Sequence, residues 1–153
     1  MRRSEREIKD YNILENLLKQ GEVIHLALAD APCPYLVTVN YGYRDDALYF
    51  HCASEGRKID LIKKNPNVFF QIILKNELVR AESACRWTTK FTSVCGEAEA
   101  VIQETHADKR KALQIIMDHC GMKDTEFTEN MTKNMLTVKL NIVSISGKSN
   151  AES

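Results

Sequence analysis

Two alternating runs, YLVTVNYGY and ALYFHCA, meet at Asp45-Asp46 with almost nothing between them. In the first run Tyr35, Val37, Val39 and Tyr41 fall on one face of a strand, by its period of two. A connection this short admits no parallel crossover, so the pair is read as an antiparallel hairpin. That constraint recurs along the chain. VIHLALA precedes the hairpin and is interrupted by Pro32 and Pro34, and NVFFQIIL follows it with β-branched and aromatic residues. A long strand is expected from Thr88 to Ile102, where Gly96 marks a bulge or a close backbone approach. MLTVKLNIVSISG closes the chain as another, with Val138, Leu140, Ile142 and Ser144 on one side. The polar segment between Lys75 and Arg86 is expected to be a loop or a sheet edge.

Helical spacing appears three times. Ser4-Glu5-Arg6-Glu7 fits a capping box, followed by Ile8, Tyr11, Leu14 and Leu18 and closed by Gly21. Ser54 to Lys64 is helical until Asn65-Pro66 ends it. His106 to His119 places Leu113, Ile116, Met117 and Cys120 on one stripe. Residues 121–134 are polar and irregular, with room for one short helical turn. The sequence therefore predicts about six strands and three helices: mainly β with flanking α, an antiparallel barrel with helices at its ends.

Bulk properties narrow the function. The 153 residues, 44% of them hydrophobic, suit one compact domain spanning 1–153. Lysine plus arginine equals aspartate plus glutamate at 21 each, so no overall field draws the protein to nucleic acid or an anionic membrane. No apolar run approaches the roughly 18 residues of a membrane span, and MRRSEREIKD lacks the apolar core of a signal peptide. A cytoplasmic protein is expected. Cys33, Cys52, Cys85, Cys95 and Cys120 form an odd set without a CxxC pair, which argues against a disulfide framework or a zinc knuckle. His25, His51, His106 and His119 show no HxxxH or HExxH spacing, so no metal site is expected.

Against this neutral background, FHCASEGRKIDLIKKNP stands out. Two adjacent cations, Arg57 and Lys58, open a helix, where the helix dipole favours carboxylates. A bound anion resolves the conflict: the first backbone N–H groups already form an anion pocket, Gly56 allows close approach, and phosphate is the natural guest. Solvated surface cations are the plainer alternative. Neither a P-loop nor a GxGxxG fingerprint is present, which excludes an ATP-type or Rossmann dinucleotide site. His51 and Cys52 lie just upstream on opposite faces of one strand, so their side chains cannot line one cavity. Cys52 reads as inert core; His51, sharing its face with Tyr49 and Ala53, is the candidate polar group. Trp87 is either an edge aromatic or a cover for a ring system.

MRRSEREIKD, PYLVTVNYGY, ALYFHCASEGRKIDLIKKNPNVFF, WTTKFTSVCGEAEAV and VSISGKSN, in this order and spacing, resemble the flavin-binding split-barrel proteins related to pyridoxamine 5′-phosphate oxidase, within the branch that includes nitroimidazole-resistance proteins. The resemblance implies a six-stranded antiparallel split β-barrel with peripheral helices, a homodimer, and FMN at the dimer interface. By position it places Val37, Thr38, Val39 and Asn40 beside the flavin ring, and His51, Cys52 and Ala53 near the ribityl chain or ring. Arg57 and Lys58 match the phosphate-binding pair. Phe91, Thr92 and Ser93 fall where the family supplies further cofactor contacts, and Trp87 reaches the site from either subunit.

Thr38 stands where that branch often has proline, Cys52 where a smaller residue is common, and Phe91 where tyrosine is frequent. The sequence stops soon after SISGK, without the arginine- and histidine-containing tail that holds substrate in true pyridoxamine phosphate oxidases, so that activity is not expected. What the resemblance implies instead is an FMN-dependent oxidoreductase that takes electrons from NADH or NADPH and reduces a small planar acceptor, a nitro-aromatic or a quinone, with His51 as proton donor or substrate contact. The alternative is a non-catalytic flavin- or haem-binding split-barrel protein.

Overall fold

The computed structural model describes residues 3–151. Among them the strands are β1 (Glu7–Ile8), β2 (Val23–Leu28), β3 (Tyr35–Asn40), β4 (Gly42–Arg44), β5 (Ala47–Ala53), β6 (Asn67–Val79), β7 (Thr88–Gln103) and β8 (Met135–Ser149). The helices are α1 (Tyr11–Gln20), α2 (Arg57–Lys64), α3 (His106–His119) and the short α4 (Glu129–Thr132). All strand pairs are antiparallel, in the order β3-β2-β6-β7-β8-β5-β4, with β1 on β8. The sheet curls into a barrel but does not close: β3 approaches β5 across a seam without pairing to it. This is the mainly β split barrel expected. Six strands have six residues or more, and β1 and β4 are short additions.

The expected first helix starts later than its capping box. Ser4–Arg6 is a single 3₁₀ turn, Glu7 and Ile8 pair with Lys148 and Gly147, and Asp10 caps α1 by accepting from the Asn12 N–H at 2.8 Å. Pairing with a long strand outcompeted a local cap. The polar stretch after Lys75 is not all loop either. β6 passes a bulge between Ile73 and Lys75 and continues to Val79 against Thr88, so β6 and β7 form a long arm. A second irregularity, opposite Glu97 and Ala98, leaves Val143 unpaired. It shifts the parity of β8, so Ile145 packs on the core while Ser144, expected beside Ile142, is exposed.

The core lies inside the barrel, where Ile24, Leu26, Leu48, Phe50, Phe70, Ile72, Val94, Val138 and Leu140 are fully buried. α1 plugs one end with Leu14 and Leu18. The Tyr41 hydroxyl donates to the Leu18 carbonyl at 2.6 Å, and His119 Nε2–H donates to the Gly21 carbonyl at 2.6 Å, tying α1 and α3 to the barrel end. α3 covers the outer side of β4 and β5, burying Ala112, Ile115 and Ile116 against Ala47 and Tyr49. The hairpin turn between β4 and β5 has Asp45 at φ 51° and Asp46 at φ 56°, the left-handed pair that a tight two-residue turn demands.

Gly96 answers the expectation of close approach. A Cβ there would collide with the Ser144 carbonyl oxygen and come within 3.0 Å of the ring of the buried Phe70. Because backbone on one side and a core ring on the other leave no room to yield, Gly96→Ala should cost about 3 kcal/mol or more, read as a lowered urea midpoint at unchanged m-value.

Candidate functional site

The seam between β3 and β5 is where the predicted anion pocket falls. β5 ends at Ala53, a bend over Ser54–Gly56 turns the chain, and α2 begins at Arg57. Gly56, the N-cap, sits at φ +120°, and a Cβ on it would meet nothing within 4 Å, so the helix mouth is open. No side chain caps the helix; the N–H groups of Ile59 and Asp60 both donate to the Gly56 carbonyl, at 2.9 and 3.2 Å. The N–H groups of Gly56, Arg57 and Lys58 are thus those that helix geometry leaves at the mouth.

Arg57 is held from two sides. Its Nε and Nη2 donate to Asp30 Oδ2 at 3.1 and 2.6 Å, and its guanidinium lies 4.6 Å from the centre of the Tyr35 ring. Asp30 also accepts from the Ala31 N–H at 2.9 Å. The pair joins the end of β2 to the start of α2 across the seam, and leaves the Nη1 group of Arg57 free of that carboxylate. The hydrogen bonds from Arg57, then from the Ala31 backbone, hold the Asp30 carboxyl below its ordinary value. Lys58 is half-buried, with Nζ 5.4 Å from the Phe50 ring and no carboxylate within 4.0 Å among the described residues. It is therefore the uncommitted cation of the mouth. Cys52 points to the same interior side. Burial pushes its thiol up, with Lys58 opposing, so at neutral pH it stays protonated and is a poor nucleophile.

The remaining predicted residues separate into three groups. Val37 and Val39 face the barrel and pack on its core with Tyr35 and Cys52, whereas Thr38 and Asn40 face outward, with Thr38 Oγ1 2.8 Å from His25 Nδ1. His51 and Ala53 are exposed on the face of β5 shared with Tyr49, opposite Cys52. The backbone of 51–53 borders the mouth while the His51 ring looks away from the Cys52 side. Trp87, Phe91, Thr92 and Ser93 lie on the β6–β7 arm. Tyr35 is level with Leu28, Val68 and Ala98, but Ser93 pairs with Ile73, five residues further along. One chain therefore does not bring the arm to the α2 mouth. The arm is instead tied to the end of β8: Phe91 N–H donates to Asn150 Oδ1 at 2.7 Å, and Thr92 Oγ1 lies 2.9 Å from Ser149 Oγ. Trp87 Nε1–H donates to the Ala81 carbonyl at 2.7 Å, within the connection between β6 and β7.

Asp30 and Tyr35 were not foreseen as site residues. An isolated acid before Ala31-Pro32 carries no local signal that it will meet a guanidinium 27 residues on. The outer sheet face was likewise not foreseen in detail. Leu36 (66% exposed), Phe69 (47%), Ile73 (46%) and Val143 (68%) form an apolar surface across β3, β6 and β8. Shallow cavities of about 460 and 370 Å³ share Ala27 and Phe69 on that surface.

An antiparallel barrel split at one seam, with a cationic helix mouth beside the seam, defines the split-barrel class. The family model of pyridoxamine 5′-phosphate oxidase matches residues 11–149, and the chain belongs to that family. No curated protein is similar enough in sequence to match. Among solved structures, the chain is similar to a candidate 5-nitroimidazole antibiotic resistance protein of Bacteroides thetaiotaomicron, at 28% identity and TM-score 0.82 over 93% of this chain and 85% of the other. The flavocytochrome Anf3 of Azotobacter vinelandii shares the fold at 18% identity and TM-score 0.82, over 99% of this chain and 72% of the other. So does an FAD and heme binding protein of Mycobacterium smegmatis, at 15% identity and TM-score 0.81, over 96% and 74%.

The Asp30–Arg57 pair has a pH signature. A carboxyl held below its ordinary 3.8 keeps its charge, and its grip on Arg57, above that value and loses both only as pH falls through the lowered pKa. The Arg57 Nε–H resonance should therefore hold its position from pH 8 down to about 4 and move only below it. In Asp30→Asn the same resonance should sit at a solvent-like position throughout, with little change in global stability, because the Arg57 side of the pair is largely exposed.

Proposed function

We propose that this chain is an FMN-binding oxidoreductase that works as a homodimer in the cytoplasm. The observation that carries the proposal is the α2 mouth: an open glycine N-cap, an arginine fixed by Asp30 and Tyr35, and a lysine with no carboxylate within 4.0 Å among the described residues. A terminal phosphate fits this donor set. It would take the backbone N–H groups, the Nη1 edge of Arg57 and the Lys58 ammonium, with each charge-assisted bond contributing roughly 1.5–3 kcal/mol. FMN ends in such a phosphate. The structural neighbours include a flavocytochrome and FAD-binding proteins, which supports a flavin as the class of ligand.

Bound flavin would supply two-electron transfer between a nicotinamide donor and a small planar acceptor. The chain's own residues position it. Val37, Thr38, Val39 and Asn40 present an edge strand, with its unpaired backbone groups, beside the seam. The backbone of His51, Cys52 and Ala53 forms the floor, and protonated Cys52 keeps the interior side apolar. His51, whose ring is exposed at the end of β5, is the proposed proton donor or substrate contact. A nitro-aromatic acceptor agrees with the resistance protein to which the chain is similar; a quinone shares its planar shape.

Two features support dimerisation. The apolar outer face is antiparallel sheet without a covering layer, and an isologous partner would bury it. Such a partner would also offer its arm, with Trp87, Phe91, Thr92 and Ser93, to a mouth that these residues cannot reach within one chain. A non-catalytic flavin or haem carrier is the second reading, favoured by the likeness to haem-containing neighbours.

Purified protein should be yellow. Arg57→Ala with Lys58→Ala should weaken FMN binding by about a hundredfold or more while changing riboflavin binding little, since only FMN carries the phosphate. Equal losses for both ligands would sink the assignment. Anaerobic NADH or NADPH should bleach the flavin, which a carrier would not allow at a useful rate. His51→Gln should lower turnover without altering FMN affinity. Leu36→Arg with Phe69→Lys should give a monomer by analytical ultracentrifugation, with loss of colour.

A further inference from the structure

A basic cavity lies away from the α2 mouth, beside the β4–β5 hairpin. It measures about 770 Å³ and opens between α3, the end of β4 and the segment before α4. One stripe of α3 forms a wall: Arg110, Lys111 and Gln114 follow at helical spacing on the face opposite the buried Ala112, Leu113, Ile115 and Ile116. Arg44 closes one end, and Thr125, Glu126 and Phe127 form the facing wall. Three cations thus meet one carboxylate in the lining.

The cations are not idle surface charges in equal measure. Arg44 is fixed, its Nη2 donating to Asp118 Oδ2 at 2.6 Å, while Gln114 Nε2 donates to Asp118 Oδ1 at 2.8 Å. Asp118 is thereby consumed by Arg44 and Gln114. Arg110 and Lys111 have no carboxylate within 4.0 Å among the described residues. An independent feature lies in the opposite wall. The Thr125 hydroxyl is the one buried side-chain polar atom, among the described residues, without a hydrogen-bond partner. Buried hydroxyls are normally satisfied, and an orphan one in a cavity wall marks a missing partner. A turn about its χ1 would present it to a guest between the walls. Beside it, Phe127 is half-buried and gives the same wall an apolar surface.

We propose that this cavity is a second ligand site, for a small organic anion with a flat apolar body: the acidic group between Arg44, Arg110 and Lys111, accepting from the Thr125 hydroxyl, and the body on Phe127. Phosphate esters and carboxylates share this chemistry. The cavity is set apart from the seam by the hairpin and α3, so its ligand is separate from the flavin and neither donates to nor accepts from it. The proposal does not depend on flavin binding.

The test uses the ¹⁵N-labelled full chain, titrated separately with phenyl phosphate, phthalate and the neutral benzyl alcohol. Either anion should give saturable shifts at Arg110, Lys111, Gln114 and residues 125–128, with an apparent Kd below about 1 mM. Arg110→Gln with Lys111→Gln should weaken that binding by about tenfold. Thr125→Val, which removes the orphan hydroxyl without removing charge, should weaken it about threefold and leave the thermal midpoint unchanged or higher. Both sets of substitutions should leave any shifts at Arg57 and Lys58 as they were. Which anion binds more tightly distinguishes phosphate from carboxylate. Non-saturating shifts with both anions, an undiminished affinity in the double variant, equal binding of benzyl alcohol, or saturable shifts confined to the α2 mouth would each overturn the proposal.

Discussion

The barrel depends on β7, which is hydrogen-bonded along its length to β6 on one side and β8 on the other. At its midpoint the sheet closes so tightly that only a hydrogen fits on Gly96, between the Ser144 carbonyl and the Phe70 ring. Beside this contact β8 carries its extra residue, Val143, and bends. The buried Phe70 ring packs on the glycine side of that approach. Three strands away, Gly42 packs directly on the backbone of Ile115 and Ile116, so at that point α3 sits against β4 with no side chain between them. Glycine contacts thus set the spacing of both layers.

On this frame Ile59, Leu61 and Ile62 pack α2 into the core, and a charge pair then orients its mouth. Asp30 leaves β2, Arg57 opens α2, and Tyr35 begins β3; each belongs to a different element, and the guanidinium meets the other two. Lys58, one residue on, is turned to the buried Phe50 and the half-buried Cys52. The adjacent cations therefore have different situations: one is pinned and partly neutralised, the other rests on an apolar wall with its charge unspent. That division suits recognition of an anion, since the pinned group costs little entropy to hold and the free one supplies net attraction.

Much of this was legible in the sequence because it rests on short-range pattern. Alternation located β2, β3 and β5, and helical spacing gave α3 from His106 to His119. The hairpin forms only in part: Gly42–Arg44 pairs with β5 across the Asp45-Asp46 turn, whereas Tyr35–Asn40 of the same run swings away to pair with β2. The open start of α2 with its two cations was legible too, since a glycine and two bases after a strand are a local signal. What escaped was long-range. Ser4 lost to Asp10 as a cap because Glu7 and Ile8 found a partner strand some 140 residues away. The polar half of β6 stayed a strand only because β7 pairs with it. The parity of Ser144 turned on an extra residue that no alternation announces, and Asp30 meets Arg57 only once the barrel has curled.

The unclosed seam has a cost of its own. β3 ends the hydrogen-bonded path, so one side of its backbone offers amides and carbonyls to any passing extended chain, with Leu36 protruding beside them. Pro32 and Pro34, immediately upstream, cannot donate to an added ladder and so blunt the approach at that end. The other terminal strand, β4, is only three residues long and lies under α3. The molecule thus guards against runaway fibril growth at one margin by brevity and cover, and at the other by imino acids.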